Sequence, residues 1–394
     1  MKIFFGLLII IFLAFSGYHL TFRRFRLPLF ARLFYLTGTE FLFLGLLLGP
    51  QFLNILDRET NKGLEPLSAL LLGWIGMLFG FQFEIAKLRR FPFEFLGAAF
   101  MEGLITFGWI LFGIYGVLSA FSNMPEHIKI VLSVTLAAVG ASTGQTGLAL
   151  LSPNTVARSP GVIKLLTYIS SIDGLIALPI FGMVFLFCPQ FFKTFSWVGQ
   201  LKWGLSASLG LVLLYILFLT RRRKEKELIL VVIGMAVLTS GTASVLHFSP
   251  LLINFFVGFC LVNLSSEKER IFDILISVEK PAYLLLLVFL GVNWRLDSPW
   301  ILLMGAGYCL CRLLGKFFGG FAITRLNPEM NHYPPQLGFG LLDMGGLSLA
   351  ILLDFQQGFP GHITGNAVSV VLTAVICNNF INFCFLDRLL KKGE

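Results

Sequence analysis

Thirteen apolar runs, joined by short polar links, take up nearly the whole chain. They fall near residues 3–20, 29–50, 66–85, 93–118, 127–152, 163–187, 199–220, 227–246, 249–264, 281–293, 299–324, 335–354 and 363–386. A run of about 20 apolar residues crosses a bilayer as a helix, because lipid offers backbone N–H and C=O groups no outside partner. The fold expected is therefore an all-α polytopic membrane protein with about 13 transmembrane helices. Composition agrees: 56% of the residues are hydrophobic and only 13% are charged. No soluble domain of this length has that balance. No polar segment is long enough to form a domain outside the membrane. A single transmembrane domain over 1–394, without a soluble regulatory domain, is the expectation. Residues 3–20 read as a retained helix, since no small-x-small cleavage site follows and the apolar run continues to Leu20.

The basic residues alternate between the links. Arg23, Arg24, Arg26, Arg32, Lys87, Arg89, Arg90, Arg158, Lys164, Arg221, Arg222, Arg223, Lys224, Lys226, Lys268, Arg270, Lys280, Arg325, Arg388, Lys391 and Lys392 fall on one side. They outnumber those on the other side three to one. The positive-inside rule then puts the N-terminus outside and the C-terminus in the cytoplasm, in a cell (inner) membrane. The net charge of +9 is accordingly an orientation signal, not a nucleic-acid surface. The six cysteines lie in or beside apolar runs and read as small packing residues. Ser265 to Lys280 spaces Ile271, Phe272, Ile274, Leu275 and Val278 among charges, which suits an amphipathic helix on the cytoplasmic interface.

Against this apolar background a few polar residues stand out. Asp173 lies near the middle of the run 163–187, and so near the bilayer midplane. A carboxylate there costs at least about 2.5 kcal/mol, and by default it marks an ion or proton path. The plainer alternative is a packing hydrogen bond to Ser170 or Ser171. Gly140 to Gly147 interrupts the fifth run with three glycines and with Ser142, Thr143, Gln145 and Thr146. Such a stretch suits a helix broken at the midplane, whose free carbonyls and hydroxyls can coordinate a cation. Gly338 to Gly346 does the same in the twelfth run and adds Asp343. Laying 29–187 over 249–386 puts the broken helix fourth in each set, and the two sets have opposite orientation. That is an inverted repeat with two broken, crossing helices. Arg312 and Lys316, four apart on one helix face, supply positive charge. Glu102 and Glu40 complete the intramembrane charges.

These residues resemble the monovalent cation:proton antiporter superfamily, its bacterial sodium/proton antiporters and, more closely, its Kef-type branch. Gly45 to Pro50 is similar to the ending of the family's second span. Gly80 to Arg90 is similar to the third span and its basic loop, and Leu285 to Asp297 to the short tenth span. Ile172-Asp173 stands at the paired position whose second member binds the ion. Gly315-Lys316 matches the eleventh span and Gly345-Gly346 the broken twelfth. The chain departs from the pattern at Ile172, where the family has Asp, Asn or Gln, and at Met344, where it often has Arg. The soluble nucleotide-binding domain common in the Kef branch is not expected here.

The resemblance implies a secondary transporter, not an enzyme, exchanging Na⁺ or K⁺ for protons. Asp173 would bind the monovalent cation or the proton, with Ser142, Thr143 and Thr146 completing the shell. Lys316, Arg312, Asp343 and Glu102 would be charge partners in the core. Spans four, five, six, eleven, twelve and thirteen would form a mobile core, and the others a scaffold for a homodimer. The only partners implied are lipid, a second copy and, for regulation, a separate cytoplasmic subunit. No cofactor is implied beyond the transported ions. Ile172 cannot ionise, so a single carboxylate would carry the exchange and the cycle would be electroneutral. Two other readings stay open. Ile172 and Met344 suit a non-transporting membrane subunit or sensor. Arg312 and Lys316 would suit an anion site in a proton-coupled transporter of organic or anionic solutes.

Overall fold

The computed structural model describes residues 38–145, 160–187, 225–296 and 298–391, with isolated positions in the first twelve residues and Leu148. Most of the expected span 3–20, the start of 29–50, the end of 127–152, all of 199–220 and Thr146 lie outside the described residues. Among the described residues there are thirteen α-helices, two 3-10 segments and no strand. In chain order the helices are α1 (Thr39–Leu48), α2 (Arg58–Gly63), α3 (Glu65–Phe81), α4 (Ile85–Leu88), α5 (Phe93–Phe121), α6 (Glu126–Ala141) and α7 (Pro160–Phe187). There follow α8 (Glu225–Val245), α9 (Pro250–Leu264), α10 (Lys268–Val292), α11 (Pro299–Leu326), α12 (Gly346–Gly358) and α13 (His362–Lys391). Six of them, α5, α7, α8, α10, α11 and α13, are long and apolar enough to cross a membrane. The chain is a polytopic, multi-pass membrane protein.

Local chemistry sets several helix starts. Ser249 accepts the Leu252 N–H at 2.9 Å, with Pro250 as the first helical residue of α9. Ser298 and Pro299 do the same for α11. One sequence expectation is corrected. Ser265 to Lys280 is not a separate interfacial helix ahead of a short span 281–293. From Lys268 on it is the first half of α10, which runs without interruption through Pro281. Proline removes one N–H from the helix, but packing holds the first half in line. Ile271 and Leu275 are fully buried, and the Trp74 indole donates to the Leu275 carbonyl at 3.0 Å.

The chain divides into two compact units. The first holds the described residues of Met1–Leu88, Phe185–Asn293 and Leu353–Pro360, and so α1, α3, α8, α9 and α10. Within it α3 and α9 approach until backbones touch. A Cβ at Gly76, Gly80 or Gly258 would strike the carbonyl of Leu251, Phe255 or Met77 respectively. Small residues allow such contact where lipid gives no hydrophobic drive for helices to associate. Next to the close contact lies a buried polar group: Thr239 donates to Asn254 at 2.6 Å, and Asn254 donates to Ser240 at 3.2 Å. The Ser249 hydroxyl is bonded to Asp354, a buried carboxylate at the end of an expected span.

At the polar end of α3 in the same unit, Glu84 is gripped by Lys268 at 2.6 Å and Lys87 at 3.0 Å. Hydrogen bonds from Lys268 first, then Lys87, hold its carboxyl below the ordinary glutamate range. A depressed carboxyl pKa adds stability above the ordinary value of about 4.3, and that stability fades as pH falls through the lowered value. Glu84→Gln should therefore lower the melting temperature at pH 7, and the difference from wild type should close in acid. A difference that persists unchanged in acid would show that Glu84 acts through something other than its charge.

The second unit holds the described residues of Arg89–Val184, Trp294–Leu352 and Gly361–Glu394. It contains α5, α6, most of α7, α11, the start of α12, and α13. These are the spans that the resemblance assigns to the core. Inside this unit α5 lies on α6 and on α11, and α11 on α13.

Candidate functional site

Both expected helix breaks are present, and they cross. Helix α6 stops at Ala141, and Ser142 takes an extended conformation with φ −69° and ψ 140°. On the other chain segment a 3-10 turn, Leu337–Leu341, gives way to non-helical backbone before α12 begins at Gly346. The Gly144 N–H donates to the Asp343 carbonyl at 2.9 Å. A Cβ at Gly144 would come within 2.7 Å of the Gly345 Cα, and one at Gly345 within 2.6 Å of the Gly144 Cα. Only two glycines allow the segments to cross this closely.

A break leaves the last carbonyls of α6 without helical partners. Arg312, fully buried on α11, meets them. Its Nε donates to the Gly140 carbonyl at 2.9 Å and one terminal nitrogen to the Ser142 carbonyl at 3.1 Å. The same guanidinium reaches the other segment, through the Leu342 carbonyl at 2.5 Å and the Asp343 carbonyl at 3.1 Å. A planar fork with five N–H groups can serve several acceptors at once. Its charge also suits the negative end of the α6 dipole. One turn earlier on the same face, the Tyr308 hydroxyl donates to the Leu136 carbonyl at 2.8 Å.

One turn later comes Lys316, also fully buried. Its ammonium donates to the Ala141 carbonyl at 2.7 Å and to the Thr143 hydroxyl at 2.8 Å. It faces two carboxylates, Glu102 of α5 at 3.2 Å and Asp173 of α7 at 3.4 Å. Asp173 is 1% exposed and Glu102 0%, so this is an ion cluster shut away from solvent. The Thr143 hydroxyl, which accepts from the same ammonium, points its own proton toward the Leu341 carbonyl at 3.5 Å.

Small residues bring α5 and α7 to the cluster. A Cβ at Gly319 would sit 3.1 Å from both the Glu102 Cγ and the Thr106 hydroxyl oxygen. Gly315 faces Thr106 in the same way, which lets α11 lie close on α5. Gly103 faces the α7 backbone at Asp173, with a virtual Cβ 3.9 Å from the Asp173 Cα.

The structure thus brings together Asp173, Thr143, Lys316 and Glu102 around one ammonium, with Arg312 and Asp343 at the neighbouring crossing. It does not bring the Ser142 hydroxyl to Asp173. That hydroxyl pairs with Ser348 at 2.7 Å and with the Val139 carbonyl at 3.0 Å. Thr146 lies outside the described residues. Ser170 and Ser171 both donate to the Thr167 carbonyl, at 3.0 Å and 2.7 Å, so the plain packing role for Asp173 finds no support in them. At the two positions where the resemblance breaks, Ile172 is fully buried, and the Met344 N–H donates to Asn379 at 3.1 Å. Sequence reasoning missed Asn379 and Tyr308, which have no charge to mark them. It also missed Asp354, which the fold places in the first unit.

No protein-family model matches the chain, and no curated protein matches it either. Among solved structures, it is similar to the sodium proton antiporter MjNhaP1 from Methanocaldococcus jannaschii, determined at pH 8. The match has a TM-score of 0.64 at 18% sequence identity and covers 100% of this chain and 99% of that one.

Proposed function

From the fold of the monovalent cation:proton antiporters, we propose that this chain exchanges a monovalent cation, Na⁺ or K⁺, for protons across the membrane in which it lies. The observation that carries the reading is Asp173, buried in mid-helix beside two broken helices and opposite the Lys316 ammonium at 3.4 Å. A carboxylate so placed holds either a proton or a partly dehydrated cation, and it cannot hold both. Thr143 and nearby carbonyls of the break supply the remaining oxygens, with Ser142 and Thr146 on either side of Thr143 in the same stretch. Coupling arises because an empty Asp173, charged and deeply buried, is costly to carry across the bilayer.

Ile172 offers no second proton beside Asp173, so exchange is one for one and moves no net charge. The second unit serves as the moving part and the first as the scaffold of a homodimer, in an inner membrane with the C-terminus in the cytoplasm. The anion reading loses ground because Arg312 donates to backbone carbonyls from all three of its nitrogens. The non-transporting reading predicts no flux at all.

A cation screen in proteoliposomes tests this reading. Adding Na⁺ or K⁺ to vesicles with an imposed pH gradient should dissipate the gradient with saturable dependence on the cation. Clamping the membrane potential with valinomycin should leave the exchange rate unchanged, with the chosen cation held distinct from the clamping K⁺. No cation-dependent proton movement would end the proposal, and a rate that follows the imposed potential would end its one-for-one form.

A further inference from the structure

We propose that Glu102 is the resident counter-ion of Lys316, and that it takes the ammonium over whenever a cation or a proton occupies Asp173. The inference rests on the exchange reading above and assigns Glu102 a positioning role in it. Lys316 sits between two carboxylates that come from different helices, Glu102 on α5 and Asp173 on α7. Both Glu102 oxygens lie close to the ammonium, at 3.2 Å and 3.3 Å, against one Asp173 oxygen at 3.4 Å. The Thr106 hydroxyl donates to Glu102 at 2.8 Å, which fixes that oxygen as an acceptor. Gly319, packed on the same side chain, keeps Glu102 in place.

Charge arithmetic gives the arrangement its use. With all groups ionised, Lys316 and Arg312 face Glu102, Asp173 and Asp343, so the cluster carries one excess negative charge. A cation or proton on Asp173 removes the excess. The ammonium must then have a partner that is not Asp173, because a buried charge left alone is costly. Glu102 is that partner within reach. Without it, Lys316 would remain on Asp173, and an incoming cation would have to displace the ammonium with nowhere for it to go.

The test compares cation binding and transport in wild type, Glu102→Gln and Glu102→Gln/Lys316→Met. Glutamine keeps an oxygen for Thr106 but has no charge. In Glu102→Gln, the cation concentration for half-maximal exchange and the dissociation constant from calorimetry should rise about tenfold or more, the scale of a charged hydrogen bond. The maximal rate should change far less. Removing Lys316 as well deletes the competitor, so the double variant should bind the cation at least as tightly as wild type. It no longer holds an ammonium in need of Glu102, so it remains a test if the single variant does not fold. Unchanged half-saturation in Glu102→Gln, or binding weaker than wild type in the double variant, overturns the role of Glu102 and leaves the exchange reading standing. A wild-type protein that neither binds nor moves any monovalent cation overturns both.

Discussion

Asp173→Asn is expected to abolish cation-dependent proton flux while leaving a folded protein. Asparagine has nearly the shape of aspartate, and its side-chain oxygen can still accept from Lys316. It cannot bind and release a proton at any working pH, and it offers a cation no charge. Flux in proteoliposomes should fall to the leak of empty vesicles. Folding is spared for a reason visible in the cluster: Lys316 keeps Glu102 at 3.2 Å, the Ala141 carbonyl and the Thr143 hydroxyl. Breaking a buried pair outright costs about 3–5 kcal/mol. Losing one of several acceptors should cost nearer 1 kcal/mol, so the melting temperature should shift by only a few degrees. Flux at the wild-type level in the asparagine variant would remove Asp173 from the mechanism.

Arg312→Lys should have the opposite pattern, with the fold lost before the chemistry. The guanidinium ties carbonyls of the α6 end, Gly140 and Ser142, to Leu342 and Asp343 of the second break. An ammonium keeps the charge, but it has three donors on one atom and cannot span both segments. Several buried carbonyls would then lack donors, each at about 1–3 kcal/mol. Their sum is comparable with the whole stability of many domains. The variant is expected to express poorly, or to melt far below wild type in detergent, with or without cation. A lysine variant that melts like wild type would show that the crossing holds without the fork.

The sequence exposed much of this site because its background is so apolar. Asp173, Arg312, Lys316 and the two glycine-rich interruptions are conspicuous where nearly every neighbour is Leu, Ile, Val or Phe. The 308, 312 and 316 spacing even places Tyr308, Arg312 and Lys316 on one helical face. Pairing was not legible. Lys316 meets groups from α5, α6 and α7, and only tertiary packing decides that Glu102 is nearer than Asp343. The partners of Arg312 are backbone carbonyls, which carry no side-chain signature. Asp354 carries no such signal because it falls at the edge of its apolar run, where a charge is ordinary. Helix α10 reads as two segments in the sequence because Pro281 and the charges before it look like a boundary. Burial of Ile271 and Leu275 outweighs that local signal.

The crossing also has a consequence for how the chain is made. Gly140 and Arg312 are 172 residues apart. During synthesis the end of α6 therefore reaches the membrane long before the side chain that will satisfy it exists. Free carbonyls in hydrocarbon cost several kcal/mol each, so this stretch cannot rest against lipid while it waits. It must be sheltered by water, by the insertion machinery or by earlier helices until α11 and the second break have been translated. The charged cluster is thus one of the last parts of the protein to become stable, although half of its residues lie in the first half of the chain.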